Sequence, residues 1–254
     1  MRRQALIGQF LFLVAFLALW EAASRTQLVD PADLPPFSVV IAELWRLLGE
    51  RRFLDNAGVT LVRVMVAFAI GAPLAVTVGF VLGEKLHMGE IFNPVVHFLL
   101  GVPQSIFLPV FILVFGIEFM QKVVFGITHI FFVVVVNTVA AVHAVPKSHV
   151  LAARSFGATP TQIYLRVFLP SMLPLVVTGL RLGMIFNILG VLLAEMYASR
   201  SGLGLLLFTW GENYNVPPLM AAIVLISVAT IAVNELMRVW ESRVGRWQAA
   251  QLAS

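Results

Sequence analysis

The 254-residue chain contains no cysteine, and this absence excludes disulfide bonds and thiolate metal sites. Charged residues are also scarce, because they make up 12% of the chain whereas hydrophobic residues make up 60%. Soluble domains have roughly 25% charged residues. The composition, with a mean hydropathy of +0.95, therefore excludes an ordinary soluble enzyme and a disordered protein. The five histidines lack the spacing of metal ligands, and we expect no metal site.

The chain also lacks the phosphate-binding motif G-x-x-x-x-G-K-[ST]. Its three lysines follow Glu84, Gln121 and Pro146, so none follows a glycine. We therefore expect that the chain is not an enzyme and does not hydrolyse ATP by itself. The formal net charge of +4 is typical of basic loops beside membrane spans, and we expect no nucleic-acid partner.

Long apolar runs dominate the chain. A helix needs about 20 apolar residues to cross the bilayer core, and six runs approach or exceed this length. The runs do not alternate as barrel strands would, so the predicted fold class is an all-α integral membrane protein with six transmembrane helices. Prolines predict kinks in the third span, and small residues predict close helix packing in the second. The predicted spans are about 5–22, 60–82, 91–115, 123–142, 172–197 and 219–237.

The first span has two interpretations. Two arginines precede an apolar run that ends near Trp20, and 22–24 resembles a cleavage region, so the segment resembles a signal peptide. A retained anchor is favoured because the run is long and further spans follow. The next predicted helix, about 39–50, begins after Ser38 as a candidate cap and is amphipathic. It lies either at the membrane interface or on the surface of the protein itself.

Basic residues near span ends predict the orientation, because cytoplasmic loops are enriched in Lys and Arg. With both termini in the cytoplasm, nine basic residues lie inside: Arg2, Arg3, Lys85, Lys147, Arg154, Arg166, Arg238, Arg243 and Arg246. Six lie outside: Arg25, Arg46, Arg51, Arg52, Lys122 and Arg200. This majority predicts that connection 143–170 is cytoplasmic and that helix 39–50 is on the outer side.

Connection 143–170 has its own helix signals. Ser148 is a candidate cap of a first helix that Gly157 would end. Thr159 followed by Pro160 is typical of the start of a second helix, about 160–169. Two short helices around a glycine form either a rigid knob or a loop packed under the protein's own helices.

The residues of this connection resemble a known signature. Leu151–Ala158 followed by Val167–Pro170 is similar to the loop of bacterial ABC importer permeases, which reads E-A-A, three residues, G, nine residues, I-x-L-P. The spacing agrees, but Leu151 stands where the family has Glu and Val167 where it has Ile. Other stretches, within about residues 5–247, are similar to the nitrate, sulfonate and taurine group: Leu34–Pro36, Leu44–Trp45, Thr60–Val64, Phe115–Ile117, Thr178–Leu182, Ala194–Met196 and Ser201–Gly204.

The resemblance implies a type I ABC importer permease in the bacterial cytoplasmic (inner) membrane, with a cytoplasmic coupling-helix loop between helices 4 and 5. Its implied partners are a second permease subunit, with a homodimer favoured, two ATP-binding subunits, an extracytoplasmic solute-binding protein and membrane lipid. The implied solute is a small anion such as a sulfonate, taurine or nitrate, and helix 39–50 is then periplasmic. The chain itself would bind no cofactor, since ATP and Mg belong to the ATPase. The implied docking residues are Ala152, Ala153, Arg154, Gly157, Ala158, Thr159 and Pro170.

Four polar residues fall inside predicted spans and are candidate pathway residues: Asn137, Arg181, Asn187 and Glu195. For Arg181, snorkelling or pairing with a neighbour is favoured over attracting an anion in the pathway. The two asparagines suit hydrogen bonds between helices, and Glu195 suits a structural or gating role near the outer surface. Two other functions remain as alternatives. They are a self-sufficient channel or secondary transporter, for which no clear internal repeat is found, and a membrane enzyme, for which no cluster of carboxylates or histidines is found.

Overall fold

The computed structural model describes residues 2–244, and every regular element in that range is a helix. Arg246, one of the nine basic residues predicted to lie inside, is outside the described residues. The helices are α1 (Arg2–Arg25), α2 (Phe37–Leu48), α3 (Arg51–Glu84), α4 (Leu86–Gly101), α5 (Leu108–Phe115), α6 (Phe119–His143), α7 (Lys147–Ser155), α8 (Pro160–Ile163), α9 (Leu169–Tyr197), α10 (Leu203–Glu212) and α11 (Val216–Val244).

Five helical segments in the described residues are long and apolar enough to cross a membrane. A sixth span results if α4 and α5, which are bent by 84° relative to each other, are taken together. The first, second, fourth, fifth and sixth predicted spans correspond to these five segments, which extend beyond the predicted bounds at most of their ends. The five segments are Ile7–Arg25, Arg51–Glu84, Phe119–His143, Pro160–Tyr197 and Val216–Ser242.

Helix α6 packs along both α3 and α9, and these three helices form the centre of the bundle. Glycines allow this close approach. A Cβ atom added at Gly79 would lie 2.7 Å from Cβ of Thr138, and one added at Gly83 would lie 2.7 Å from Cβ of Val142. Because lipid provides little hydrophobic force between helices, such backbone proximity is a main source of packing energy. The prediction of close helix packing along the second span is confirmed.

The third predicted span, about 91–115, is bent sharply at Pro103, which confirms the expectation of a kink there. Helix α4 ends at Gly101, a 3₁₀ turn occupies Gln104–Phe107, and α5 follows. Pro103 has no N–H to continue a helix, and Val102 before it has the extended conformation (φ −79°, ψ 127°) that a following proline favours. The break therefore has a local cause in the sequence.

The fifth span is longer than predicted. Helix α8, a π turn over Tyr164–Phe168 and α9 form one helical segment of 38 residues, Pro160–Tyr197. The prediction of a separate helix over 160–169 is therefore wrong. Pro170 cannot donate a backbone hydrogen bond, and a π turn directly before it lets the chain remain helical.

Helix α2 packs on the surface of the protein itself, as one of the two interpretations of its amphipathic pattern expects. Val40 and Leu47 are fully buried in a cluster with residues of α3, α10 and α11. The prediction that Ser38 caps the helix is wrong, because the helix begins at Phe37. The hydroxyl of Ser38 instead donates to Glu21 Oε1 of α1 (2.8 Å).

The connection between the fifth and sixth spans contains a helix, although its glycines and prolines are typical of a loop. Helix α10 buries Leu203, Leu206 and Leu207 against α2 and α11, whereas Tyr214 beyond its end is exposed. The apolar side of this ten-residue helix has the spacing of a packed helix, and the sequence reasoning missed it.

Candidate functional site

Helices α7 and α8 and the turn between them, residues 147–163, form a rigid projection that we call the knob. Helix α7 begins at Lys147 directly after Pro146, so the prediction that Ser148 caps it is wrong. Its end follows the predicted geometry, because Gly157 has φ +77°, where L side chains are strained. The N–H groups of Gly157 and Ala158 donate to Arg154 O (2.9 Å) and Ala153 O (3.0 Å), which satisfies the last carbonyls of the helix.

The second half of the knob is fixed by a capping box, which confirms Thr159 as a cap and Pro160 as the first helical residue. The Thr159 hydroxyl accepts from Gln162 N (3.4 Å), and Gln162 Oε1 accepts from Thr159 N (2.9 Å). The sequence reasoning missed Gln162, although the pattern T-x-x-Q signals it. Both helix ends in the turn are therefore determined by local chemistry, and the knob has one defined shape.

The knob presents most of its predicted docking residues to the outside. Ala152, Arg154, Gly157 and Thr159 are exposed, Ala153 and Ala158 are half-buried, and a Cβ at Gly157 would meet no atom within 4 Å. Phe156 at the tip is 92% exposed. The prediction of a projecting knob is favoured over a loop packed under the protein. Pro170, by contrast, lies beyond the π turn, in the first turn of α9.

At the opposite end of α9, polar groups of α3, of α9 and of the turn that follows it meet around a buried ion pair. We call this group the Arg63–Glu195 cluster, and its members are Asn56, Thr60, Arg63, Glu195, Ser199, Ser201, Gly202 and Gly204. Arg63 Nη1 lies 2.7 Å from Glu195 Oε1, and the Arg63 and Glu195 side chains are 6% and 0% exposed. The Thr60 hydroxyl donates to Glu195 Oε2 (2.8 Å), and the N–H of Gly204 donates to the same oxygen (3.0 Å). The carboxylate therefore has an ionic partner and two further donors.

The cluster also holds the turn between α9 and α10. Arg63 Nη1 donates to Ser201 O (2.7 Å), Gly202 N donates to Asn56 Oδ1 (2.6 Å), and Leu203 N donates to the Thr60 hydroxyl (2.8 Å). Gly202 has φ +114°, and a Cβ there would collide with the Glu195 carboxylate. Through these bonds α3, α9 and α10 are joined at one point.

Sequence reasoning assigned no common site to these residues, although three signals were available. Asn56, Thr60 and Arg63 have the spacing i, i+4, i+7, which puts them on one face of α3. Glu195 and the S-G-L-G stretch belong to segments that the resemblance had already singled out. What the sequence could not provide is the contact between α3 and the end of α9, which are separated by 132 residues at the ion pair.

The structure disperses the four candidate pathway residues instead of bringing them together. Arg181 Nε lies 3.0 Å from Glu241 Oε2 of α11, so its partner is within the same chain. Asn187 is buried and donates to Val64 O (2.8 Å) of α3, as a bond between helices requires. Asn137 donates to Val133 O (2.8 Å) in its own helix, and Glu195 is enclosed in the cluster. Within the described residues no group of three His, Asp or Glu could hold a metal ion.

Comparison with known proteins adds a family match. A family model described as "binding-protein-dependent transport system inner membrane component" matches residues 71–246. The taurine transport system permease protein TauC of Escherichia coli K12 is 28% identical over 240 residues, which cover 92% of this chain and 87% of TauC. The putative aliphatic sulfonates transport permease protein SsuC of Bacillus subtilis 168 is 23% identical over 247 residues, covering 97% of this chain and 90% of SsuC.

A solved structure has a similar fold. An inward-facing conformation of the MetNI methionine ABC transporter superposes with a TM-score of 0.61 at 20% sequence identity. The match covers 83% of this chain and 98% of the matched chain. At this identity the likeness is one of fold.

Proposed function

The chain belongs to the family of binding-protein-dependent transport system inner membrane components, and we propose that it is the membrane-spanning subunit of an importer that is driven by ATP hydrolysis on partner subunits. The predicted resemblance to ABC importer permeases of the taurine and sulfonate type is confirmed. The predicted fold class, an all-helical membrane protein like a type I importer permease, is confirmed as well.

The observation that supports this function most directly is the connection of the knob to a span without interruption. Helical structure continues from Pro160 in the knob to Tyr197 beside the Arg63–Glu195 cluster. At 1.5 Å per residue, these 38 residues extend over roughly 57 Å. A force on the knob therefore tilts the whole helix, and rigid-body tilting of helices is how alternating access is achieved in most transporters.

Under this proposal two ATP-binding subunits dock on two knobs, one from each of two copies of the chain. Both termini and the knob lie in the cytoplasm, and the cluster lies at the outer side. The path for the solute runs between the two copies, and a solute-binding protein delivers the solute to the outer side. ATP and Mg²⁺ are bound by the partner subunits. Within the described residues of one chain, Arg63 and Arg181 inside the spans pair with Glu195 and Glu241, which is consistent with a path formed between chains.

We further propose that the solute is a small anion of the sulfonate class. Three relatives have names that refer to taurine or aliphatic sulfonates. Another relative, ThiX of Halalkalibacterium halodurans, is named for formylaminopyrimidine transport and is 26% identical over 246 residues. Taurine and a simple alkanesulfonate are therefore the first solutes to test, with formylaminopyrimidine as the comparison.

The experiment reconstitutes the chain with a candidate ATP-binding subunit in liposomes and measures ATP-dependent uptake of labelled taurine supplied with a candidate solute-binding protein. Gly157→Trp puts a bulky side chain on the open side of the knob and should abolish complex formation and uptake. Gly157→Asn is the matched control, because Asn tolerates the left-handed conformation and adds little bulk. Uptake by the chain alone, without any ATPase, would show a channel or secondary transporter and contradict the proposal.

A further inference from the structure

One face of α7 combines two cations with an apolar side chain. Lys147, Leu151 and Arg154 are spaced i, i+4, i+7 and therefore share that face. The face forms one wall of a groove of about 770 Å³, and Glu84 at the end of α3 lies on its border. The rest of the groove is mainly apolar and is formed by Gly83, Val142, His143, Val145, Val150 and Phe168.

The cations on this face have no acidic partner. No Asp or Glu occurs between Glu118 and Glu195 in the sequence. Among the ion pairs of residues 2–244, none includes Lys147 or Arg154. Both side chains are on exposed residues, so their charge is available to a partner.

The residue at position 151 affects whether Lys147 and Arg154 can pair within the helix. A glutamate there, as in the family signature, would lie one helical turn from both Lys147 and Arg154, where opposite charges pair. Leu151 offers no such pairing and is itself 66% exposed. The face is therefore cationic and has an exposed apolar centre.

We propose that the ATP-binding subunit of this transporter docks on this face with an apolar pocket for Leu151, bordered by carboxylates that pair with Lys147 and Arg154. The inference rests on the proposed function and specifies the chemistry of the partner at the same site. A protein is favoured over an anionic lipid because the exposed surface continues to Phe156 and Gly157 at the tip, and capped helices hold it in one shape. A rigid apolar anchor ringed by charges is the usual composition of a protein–protein contact centre.

The test measures the affinity of the candidate ATP-binding subunit for the chain in nanodiscs of phosphatidylcholine. Leu151→Glu restores the family residue, which pairs with Lys147 and Arg154 and repels the partner's carboxylates. We expect it to weaken binding about tenfold. Leu151→Met keeps an apolar side chain of similar volume and should bind like the wild type. Glutamate and methionine both favour helices, so neither variant should unfold α7.

Charge reversal provides the second arm. Arg154→Glu should weaken binding about tenfold or more at about 0.05 M NaCl, and the difference from wild type should shrink toward about 0.5 M NaCl because salt screens the pairs. Arg166→Glu is the matched control, since Arg166 is exposed in the π turn outside the knob and should change affinity less than twofold.

Two results would overturn the inference while leaving the proposed function intact. The first is unchanged affinity for Leu151→Glu and Arg154→Glu in a complex that Gly157→Trp still disrupts. The second is an effect of Arg154→Glu on binding to vesicles containing phosphatidylglycerol without any effect on the ATP-binding subunit, which would identify a lipid site. If the wild-type chain forms no complex with the ATP-binding subunit at all, the proposed function itself fails.

Discussion

Removing either partner of the buried ion pair between Arg63 and Glu195 should destabilise the chain strongly. Arg63→Met leaves the Glu195 carboxylate fully buried without its cation, and Thr60 and Gly204 donate neutral hydrogen bonds only. Breaking a buried pair in this way costs about 3–5 kcal/mol. Glu195→Gln keeps the shape and one carbonyl acceptor, so the expected loss is smaller, about 1–3 kcal/mol.

The double variant Arg63→Met with Glu195→Leu separates the ion pair from the rest of the cluster. Replacing both charges by apolar side chains removes the uncompensated charge, so the loss should be smaller than the sum of the two single losses. The expected coupling energy is about 2–3 kcal/mol, at the upper end of values for contacting residues. Recovery should be incomplete, because the carbonyl of Ser201 also loses its donor from Arg63.

The assay is reversible unfolding in mixed micelles, followed by tryptophan fluorescence, for the wild type, the single variants Arg63→Met and Glu195→Leu, and the double variant. Arg181→Met provides the control, since the side chains of Arg181 and Glu241 are 22% and 24% exposed and the pair is less desolvated. The free energy of unfolding of Arg181→Met should be lower than that of the wild type by about 1 kcal/mol. Single losses that add within about 0.5 kcal/mol would refute the reasoning, because they would show that the two charges do not stabilise each other.

Three further changes test other parts of the structure. Gly202→Ala should lose at least about 2 kcal/mol, because φ is +114° and the new Cβ meets the Glu195 carboxylate; a neutral result in the same unfolding assay would contradict the turn geometry. Gly79→Val should lose about 1–3 kcal/mol by separating α3 from α6, whereas Gly58→Ala, with open space around it, should be neutral or slightly stabilising. Thr159→Ala removes the capping box and should cost about 1 kcal/mol, seen as faster hydrogen exchange confined to α8, and unchanged exchange there would argue against the cap.

Local patterns predicted the parts of the structure that depend on neighbours in sequence. The spans follow from runs of apolar residues, because a helix in lipid must satisfy its own backbone hydrogen bonds. The turn of the knob follows from Gly157 and from Thr159 before Pro160, since a left-handed cap and a capping residue act within one helical turn. The same reasoning failed at Ser148, where Pro146 starts the helix earlier.

Three other misses concern the third span, helix α10 and the helix that contains Pro170. The third span has the prolines that predicted kinks, but these local signals do not set the size of the bend, which is 84° between α4 and α5. Helix α10 was not predicted because glycines and prolines surround it. It is stabilised by burial of its leucines against α2 and α11. Pro170 indicated a helix boundary, but the helical segment continues through Pro170 because a π turn precedes it.

The sequence by itself determined the membrane class, the shape of the knob turn and the absence of an ATP-binding motif, because each depends on composition or on residues within a few positions. Only the tertiary structure decided that Arg63 of α3 meets Glu195 of α9, and that Arg181 pairs with Glu241. A charge in an apolar span must find a partner, and the sequence shows that need clearly. Which distant residue meets it depends on how the helices pack, because residues far apart in sequence become neighbours only where helices such as α3 and α9 both pack against α6.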